Sequence, residues 1–396
     1  MGECFGPLRT IIAEHWEDVK PILGRSVPKD VESAVAGAVE KMLRCGTEEN
    51  GFARFICPDC GAVRVVHFKC KSRFCPDCGR SRAWEAAAGA QGRLLNVGHR
   101  HLTFSVPCEL RPLLFENRRL LCVVAKAAAK ATLHAVGTRC RAHSLLPGIM
   151  ATVHTFGRDL RFHVHVHVLC TEGGVRSDGM WQPVKIFPAS QYRRLWQYYL
   201  LKELRKALKG DRSVAWRIGR LYKKYPTGFI VNVMSHYRNG RKAAAYCCRY
   251  TGRPPISEKR IVGYDGKFVT ISYTDYRDNQ DKTLRLPTRQ FLLRLFAHVW
   301  PRYMRDVRYY GLYQPTRRVE HVEDAVRASK YHDQVRPVPA LSRRERMIQA
   351  LGELELRCLQ CGSYVILDQI KYAGTRNEKK AKGPPNIDAG QLSLSV

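Results

Sequence analysis

The sequence predicts an α+β protein: helices packed on an antiparallel sheet, preceded by a helical, cysteine-rich N-terminal region. Three observations carry this. Residues 148–156 and 160–170 read as strands joined at Gly157-Arg158-Asp159, a hairpin pattern. Residues 8–44, 109–137 and 190–208 instead repeat apolar side chains at helical spacing. Strand pairs mixed with long helices argue for helices laid on an antiparallel sheet.

The elements follow in order. Val31, Ala34, Val35, Ala38, Val39 and Met42 make one helical face within residues 8–44. Residues 45–79 are rich in Cys and turns, and 80–95 return to a helical pattern. His101 to Val106 reads as a strand stopped by Pro107. After the hairpin and the 190–208 helix come a strand at 228–235 and a helix at 239–250, ended by Gly252 and the Pro254-Pro255 pair. Short strands at 267–273 and 283–286, a helix at 288–299 and a strand at 305–312 complete the pattern. The expected units are a helical, metal-binding domain at 1–95, a catalytic domain at 96–315, a helical C-terminal region at 316–372 and a disordered tail at 373–396.

The chain has 396 residues, with 67 Lys and Arg against 35 Asp and Glu, a formal charge of +32. Such an excess self-repels unless a polyanion neutralises it, so nucleic acid is the expected partner. The opening MGECFGPL lacks an apolar signal core, and no apolar run is expected to span a membrane. That predicts a cytoplasmic chain with no membrane association. In that compartment 15 Cys imply metal ligands rather than disulfides.

Cys57 and Cys60 lie in one CPDCG segment, and Cys75 and Cys78 in a second. A tight turn followed by Gly lets two thiolates converge on one ion, so two such knuckles predict a structural Zn²⁺ held by all four in a zinc-ribbon-like module. Cys45, Cys70 and His67 lie nearby and could serve a second Zn²⁺ or replace one of the four ligands, but they are left outside that set, because a lone Cys is commonly a small buried hydrophobe. Cys358 and Cys361, in CLQCG, make half a site, either completed by distant ligands or a remnant. Arg73 and Arg80 on this module are candidates for DNA phosphates.

Residues 161–170 read RFHVHVHVLC. On a strand, His163, His165 and His167 share one face while Val164, Val166 and Val168 take the other. A row of imidazoles is a ready metal site; softness favours a transition metal, whereas phosphate chemistry favours Mg²⁺ or Mn²⁺. Residues 241–257 read RKAAAYCCRYTGRPPIS. Tyr246 and Tyr250 stand four apart, on one face of a helix, among Lys242, Arg249 and Arg253. Those bases would hold phosphate and favour phenolate. Tyr192, Trp196, Tyr198 and Tyr199 mix with Arg193, Arg194 and Lys202, which reads equally as a base-stacking groove or as a helix with its core face.

Several of these segments, in this order, resemble the HUH-class transposases (His-hydrophobic-His) of the two-tyrosine, insertion sequence 91-like family. They are the paired CPDCG segments, HLTFSVP at 101–107, HTFGRDLRFHVHVHVL at 154–169, YCCRYTGRPPIS at 246–257 and FLLRLFAHVWPRYMRDVRYYGLY at 291–313, with the trailing CLQCG. The resemblance implies a ferredoxin-like HUH endonuclease sheet with His165 and His167 as the metal-binding pair. His163 is the candidate third ligand, with His101 and His154 as alternatives. It implies Tyr246 and Tyr250 as nucleophiles that cut single-stranded DNA at the ends of the chain's own element, leaving a 5′-phosphotyrosine. It further implies a bacterial, nucleoid-associated protein with a structural Zn²⁺, a catalytic Mg²⁺ or Mn²⁺ and no small-molecule substrate. Rival readings are a replication initiator or relaxase of the same chemistry, a non-catalytic zinc-containing nucleic-acid-binding protein, and a zinc hydrolase using Glu172.

Overall fold

Helix α1, Pro7–Val19, has Pro in its first turn, where a missing N–H costs nothing. Helix α2, Lys29–Leu43, carries Asp30 and Glu32 in its first turn, against the positive end of its dipole. A computed structural model describes these and the rest of residues 6–76, 78–79, 94–139, 144–209, 212–238, 242–243, 254–275, 278–314, 357–372 and 379–380. The other principal elements are β1 (Gly51–Ile56), β2 (Val63–His67), β3 (His99–Ser105), α3 (Leu120–Gly137), β4 (Gly148–Phe156), β5 (Phe162–Thr171), α4 (Ala189–Ala207), α5 (Arg212–Lys224), β6 (Val231–Tyr237), β7 (Ile261–Tyr264), β8 (Phe268–Asp275), β9 (Gln280–Pro287), α6 (Thr288–Phe296), β10 (Val307–Gly311), β11 (Ile366–Tyr372) and β12 (Lys379–Lys380).

The α+β expectation holds. Five strands form a sheet in the order β10-β4-β5-β3-β6, every pairing antiparallel, with β5 in the centre. Val164, Val166 and Val168 of β5 are fully buried on one face, in a single core with α3 and α4. Ala125, Ala127, Ala128, Ala129 and Ala131 keep α3 slim and are themselves buried in that core. Trp196 of α4 packs edge-on against Phe104, ring centroids 5.4 Å apart, and donates its indole N–H to the Ser105 carbonyl at 2.9 Å.

Helix α3 corrects one expectation. By length and composition it is apolar enough to cross a membrane, yet 61% of it is buried inside the protein. The expected 109–137 helix is also broken, into Arg111–Glu116 and α3. Arg118 turns inward at the break, 1% exposed between the rings of Phe115 and Phe162, and donates Nη2 to the Ala297 carbonyl at 2.8 Å.

A second core joins α1 and α2 to α6 and to a three-stranded sheet, β9-β8-β7, through Ile11, Ile12, Trp16, Val35, Ile271 and Phe291. The cysteine-rich region forms a separate sheet in the order β12-β11-β1-β2. Residues 366–372 are thus a strand paired to β1, where a helical C-terminal region was expected. Lys379–Lys380 also pair as strand, although they fall in the stretch expected to be disordered. The expected helix at 80–95 lies almost wholly, the one at 239–250 mostly, and residues 316–356 entirely, outside the described residues.

Candidate active site and metal centres

The face of the sheet opposite the valines is polar. Cross-strand register sets His154 beside His165, Thr152 and Thr103 beside His167, and Ser105 beside His165. The ligand atoms of His154, His165 and His167 all lie within 4.8 Å of one another. Their ring centroids are 5.4, 4.7 and 4.9 Å apart for the pairs 154–165, 154–167 and 165–167.

His163 is not in that cluster. Residues four apart on a strand are separated by about 13 Å, so one ion reaches two alternate histidines but not three. A neighbour across the ladder stands at about 5 Å, and His154 fills that place. His101 stacks on His167 instead, with Nε2 2.9 Å from His167 Nδ1. What His163 supplies is its backbone carbonyl, which accepts the His165 Nδ1–H at 3.1 Å. That bond fixes the tautomer and leaves Nε2 of neutral His165 bare as a ligand atom. Burial, with the charges of His163, Arg111 and His101 adding to it, lowers His165 to about 4. Burial lowers His101 to about 4 as well and drives His167 well below its ordinary value. These imidazoles are therefore neutral near pH 7, the form that binds metal.

Among the described residues the cysteines form two clusters rather than one. Cys75 and Cys78 gather with Cys45 and Cys70, while Cys57 and Cys60 gather with Cys358 and Cys361. The single set of Cys57, Cys60, Cys75 and Cys78 is therefore not formed. The cause is that the two CPDCG segments end differently. Gly61 has φ +72° and turns β1 into β2, whereas Pro76, Cys78 and Gly79 are helical. In the first cluster, hydrogen bonds from Cys70, Cys75 and Cys78 hold the Cys45 thiol far below its ordinary value, and the contact with Cys45 foremost pushes Cys70 far above. Four thiolates at this spacing repel one another unless a cation joins them, and a tetrahedral all-sulfur set is what structural Zn²⁺ takes.

Comparison with known families gives two matches. Residues 11–106 match the family described as "Transposase zinc-binding domain", and residues 148–320 match the one described as "Putative transposase". Over these two stretches the chain is similar to transposases of the insertion sequence 91 type. It is 29% identical over 287 residues to the transposase for insertion sequence element IS801 of Pseudomonas savastanoi pv. phaseolicola, covering 69% of this chain and 68% of the relative. It is 26% identical over 283 residues to the putative transposase y4qJ of Sinorhizobium fredii (strain NBRC 101917 / NGR234), covering 67% and 71%. No solved structure matches it. A transposase acts on DNA, which accounts for the charge of +32.

The other site residues of this transposase divide sharply. Tyr246, Tyr250, Arg249, Arg253 and Arg80 lie outside the described residues. Lys242 and Ala243 are described and helical. Ala243 is fully buried in an apolar cluster with Met150 and Leu169. Met150 is two residues from Thr152 on β4, and Leu169 two from His167 on β5, so this cluster lies on the histidine face. Arg73 is already engaged: it pairs with Asp306 at 2.8 Å and lies over the Trp300 ring. Glu172, the carboxylate a hydrolase would need, sits five residues past His167 and is held by Arg100 at 2.6 Å and His236 at 2.8 Å. Sequence reasoning set aside Cys45 and Cys70; their signal was proximity to the second CPDCG.

Proposed function

We propose that this transposase nicks and rejoins single-stranded DNA at the ends of its element through a covalent 5′-phosphotyrosine intermediate. The trio of His154, His165 and His167 carries the reading: three imidazoles clustered on the face where the chain enters, at Ala243, three residues before Tyr246. Those three residues would hold a divalent ion, which supplies positive charge to the scissile phosphate. Of the two expected ions Mn²⁺ fits an all-imidazole set better than Mg²⁺, being the first-row metal.

Tyr246 or Tyr250 loses its phenolic proton to solvent and attacks phosphorus. A new phenolic O–P bond forms as the bond from phosphorus to the departing strand's 3′ oxygen breaks. That oxygen keeps the electron pair and takes up a proton, giving a free 3′-OH. The tyrosyl ester conserves the bond, so attack by a 3′-OH restores the phenol and seals DNA without ATP. The second tyrosine allows another cut while the first end is still held. Lys242, Arg249 and Arg253 position the flanking phosphates.

The test is labelled single-stranded DNA from the element's ends, incubated with protein and Mn²⁺ and run on a denaturing gel. The expected result is a protein-linked band that requires metal and disappears with His165→Ala and with the Tyr246→Phe/Tyr250→Phe double variant. An adduct that survives the double variant would sink the assignment of the nucleophiles.

A further inference from the structure

The cluster of Cys57, Cys60, Cys358 and Cys361 joins residues about 300 positions apart in sequence. The transposase zinc-binding match ends at residue 106 and so contains neither Cys358 nor Cys361. Both halves of the cluster have the same local build. The Gly61 N–H donates to the Cys57 carbonyl at 3.0 Å, and the Gly362 N–H to the Cys358 carbonyl at 3.0 Å. The Cys57 N–H reaches the Ala62 carbonyl at 2.9 Å, and the Cys358 N–H the Ser363 carbonyl at 2.7 Å. Gly61 and Gly362 both have positive φ, +72° and +78°, which lets each turn close behind its second Cys. The two knuckles then meet face to face, with Sγ of Cys57 3.4 Å from Cys361 and Sγ of Cys60 3.6 Å from Cys358. The Gln360 N–H points at the Cys358 sulfur at 3.4 Å, a bond that favours thiolate.

A second observation is independent of the sulfurs. Strand β11 pairs with β1 over its whole length, yet among the described residues none from 357 to 372 belongs to any of the three apolar cores. Leu359, Tyr364, Ile366 and Tyr372 are exposed. The ion pair of Arg54 with Asp368 at 2.6 Å is about half exposed, and such pairs contribute little. A small sheet with one solvated strand and no core needs a staple.

We propose that Cys57, Cys60, Cys358 and Cys361 bind a second structural zinc ion, which clasps the C-terminal hairpin onto the N-terminal module. The ion closes a loop of about 300 residues, so it ties the segment following the nuclease sheet back to the domain preceding it.

The test counts zinc in the full chain by native mass spectrometry. A His165→Ala background leaves the cysteine clusters as the designed zinc sites. Two zinc ions per chain are expected, and one after Cys358→Ser/Cys361→Ser, with Cys361→His restoring the second. Limited proteolysis should then release the 357–372 hairpin from the serine variant only. A single zinc per chain in the unmodified cysteine set would overturn the proposal. So would an unchanged count in the serine variant, or Cys358 and Cys361 found as disulfides in protein prepared anaerobically.

Discussion

Replacing His154 and His163 one at a time separates a metal ligand from its neighbour. His154 has a ligand atom within 4.8 Å of those of both His165 and His167. Disturbing even an outer partner of a metal ligand costs about 10- to 100-fold in affinity, so loss of a ligand should cost at least about 100-fold. That corresponds to about 2.8 kcal/mol. His163 acts through its backbone carbonyl, which accepts the His165 Nδ1–H and survives substitution by Ala. His163→Ala should therefore stay within about threefold of the parent, since the His165 tautomer is still fixed. Calorimetric titration of the metal-free proteins with Mn²⁺ measures both. His154 is only 3% exposed, so melting of the metal-free variants is recorded alongside to separate lost ligation from lost folding. If His163→Ala loses as much affinity as His154→Ala, the cluster is not the ion's site and the row along β5 is.

Other expectations concern the framework. Burial lowers His99 to about 4 and His298 to about 3, against 6.5 for the free side chain. The unfolded chain therefore binds more protons between about pH 6.5 and 4, and stability falls as pH drops through that window, by up to about 1.4 kcal/mol per pH unit for each imidazole. A melting temperature that does not change between pH 7 and 5 would contradict this. Tyr313 accepts the Leu95 N–H at 3.3 Å and donates to His99 Nε2 at 2.7 Å, while His99 Nδ1–H donates to the Val97 carbonyl at 2.8 Å. Tyr313→Phe strands two buried polar groups and should cost about 1–3 kcal/mol in urea unfolding, with a change below about 0.5 arguing that water replaces the hydroxyl. Trp196→Ala empties the contact between α4 and Phe104 and should cost about 3–5 kcal/mol by the same assay; a cost under 1 would mean that this core collapses around the gap.

The β5 strand was legible because its message is local. Alternation by two puts Val164, Val166 and Val168 in the core and the histidines on the other face, as found. The third member of the histidine cluster was not legible in the same way. Strand β4 is buried along nearly its whole length, so its own sequence carries no alternation to say where His154 points. His154 reaches His165 only through the register that the Gly157 turn imposes. The alternation of HVHVH guarantees a shared face and says nothing of distance.

The cysteines carry the same lesson at longer range. CPDCG occurs twice, and the spacing within each copy correctly brings two thiols together. What each pair meets next depends on its surroundings. The first copy lies between β1 and β2 and turns back through Gly61 at positive φ, so its thiols face the edge where β11 docks. At the second copy a Cβ on Gly79 would come within 3.0 Å of Pro254 and 3.1 Å of the Arg73 carbonyl, so that segment is pressed into the body of the protein beside Cys45 and Cys70. Ligand spacing in sequence therefore counts knuckles, not ions. Which knuckles share a site follows from strand pairing between residues about 300 apart, and only the fold supplies that.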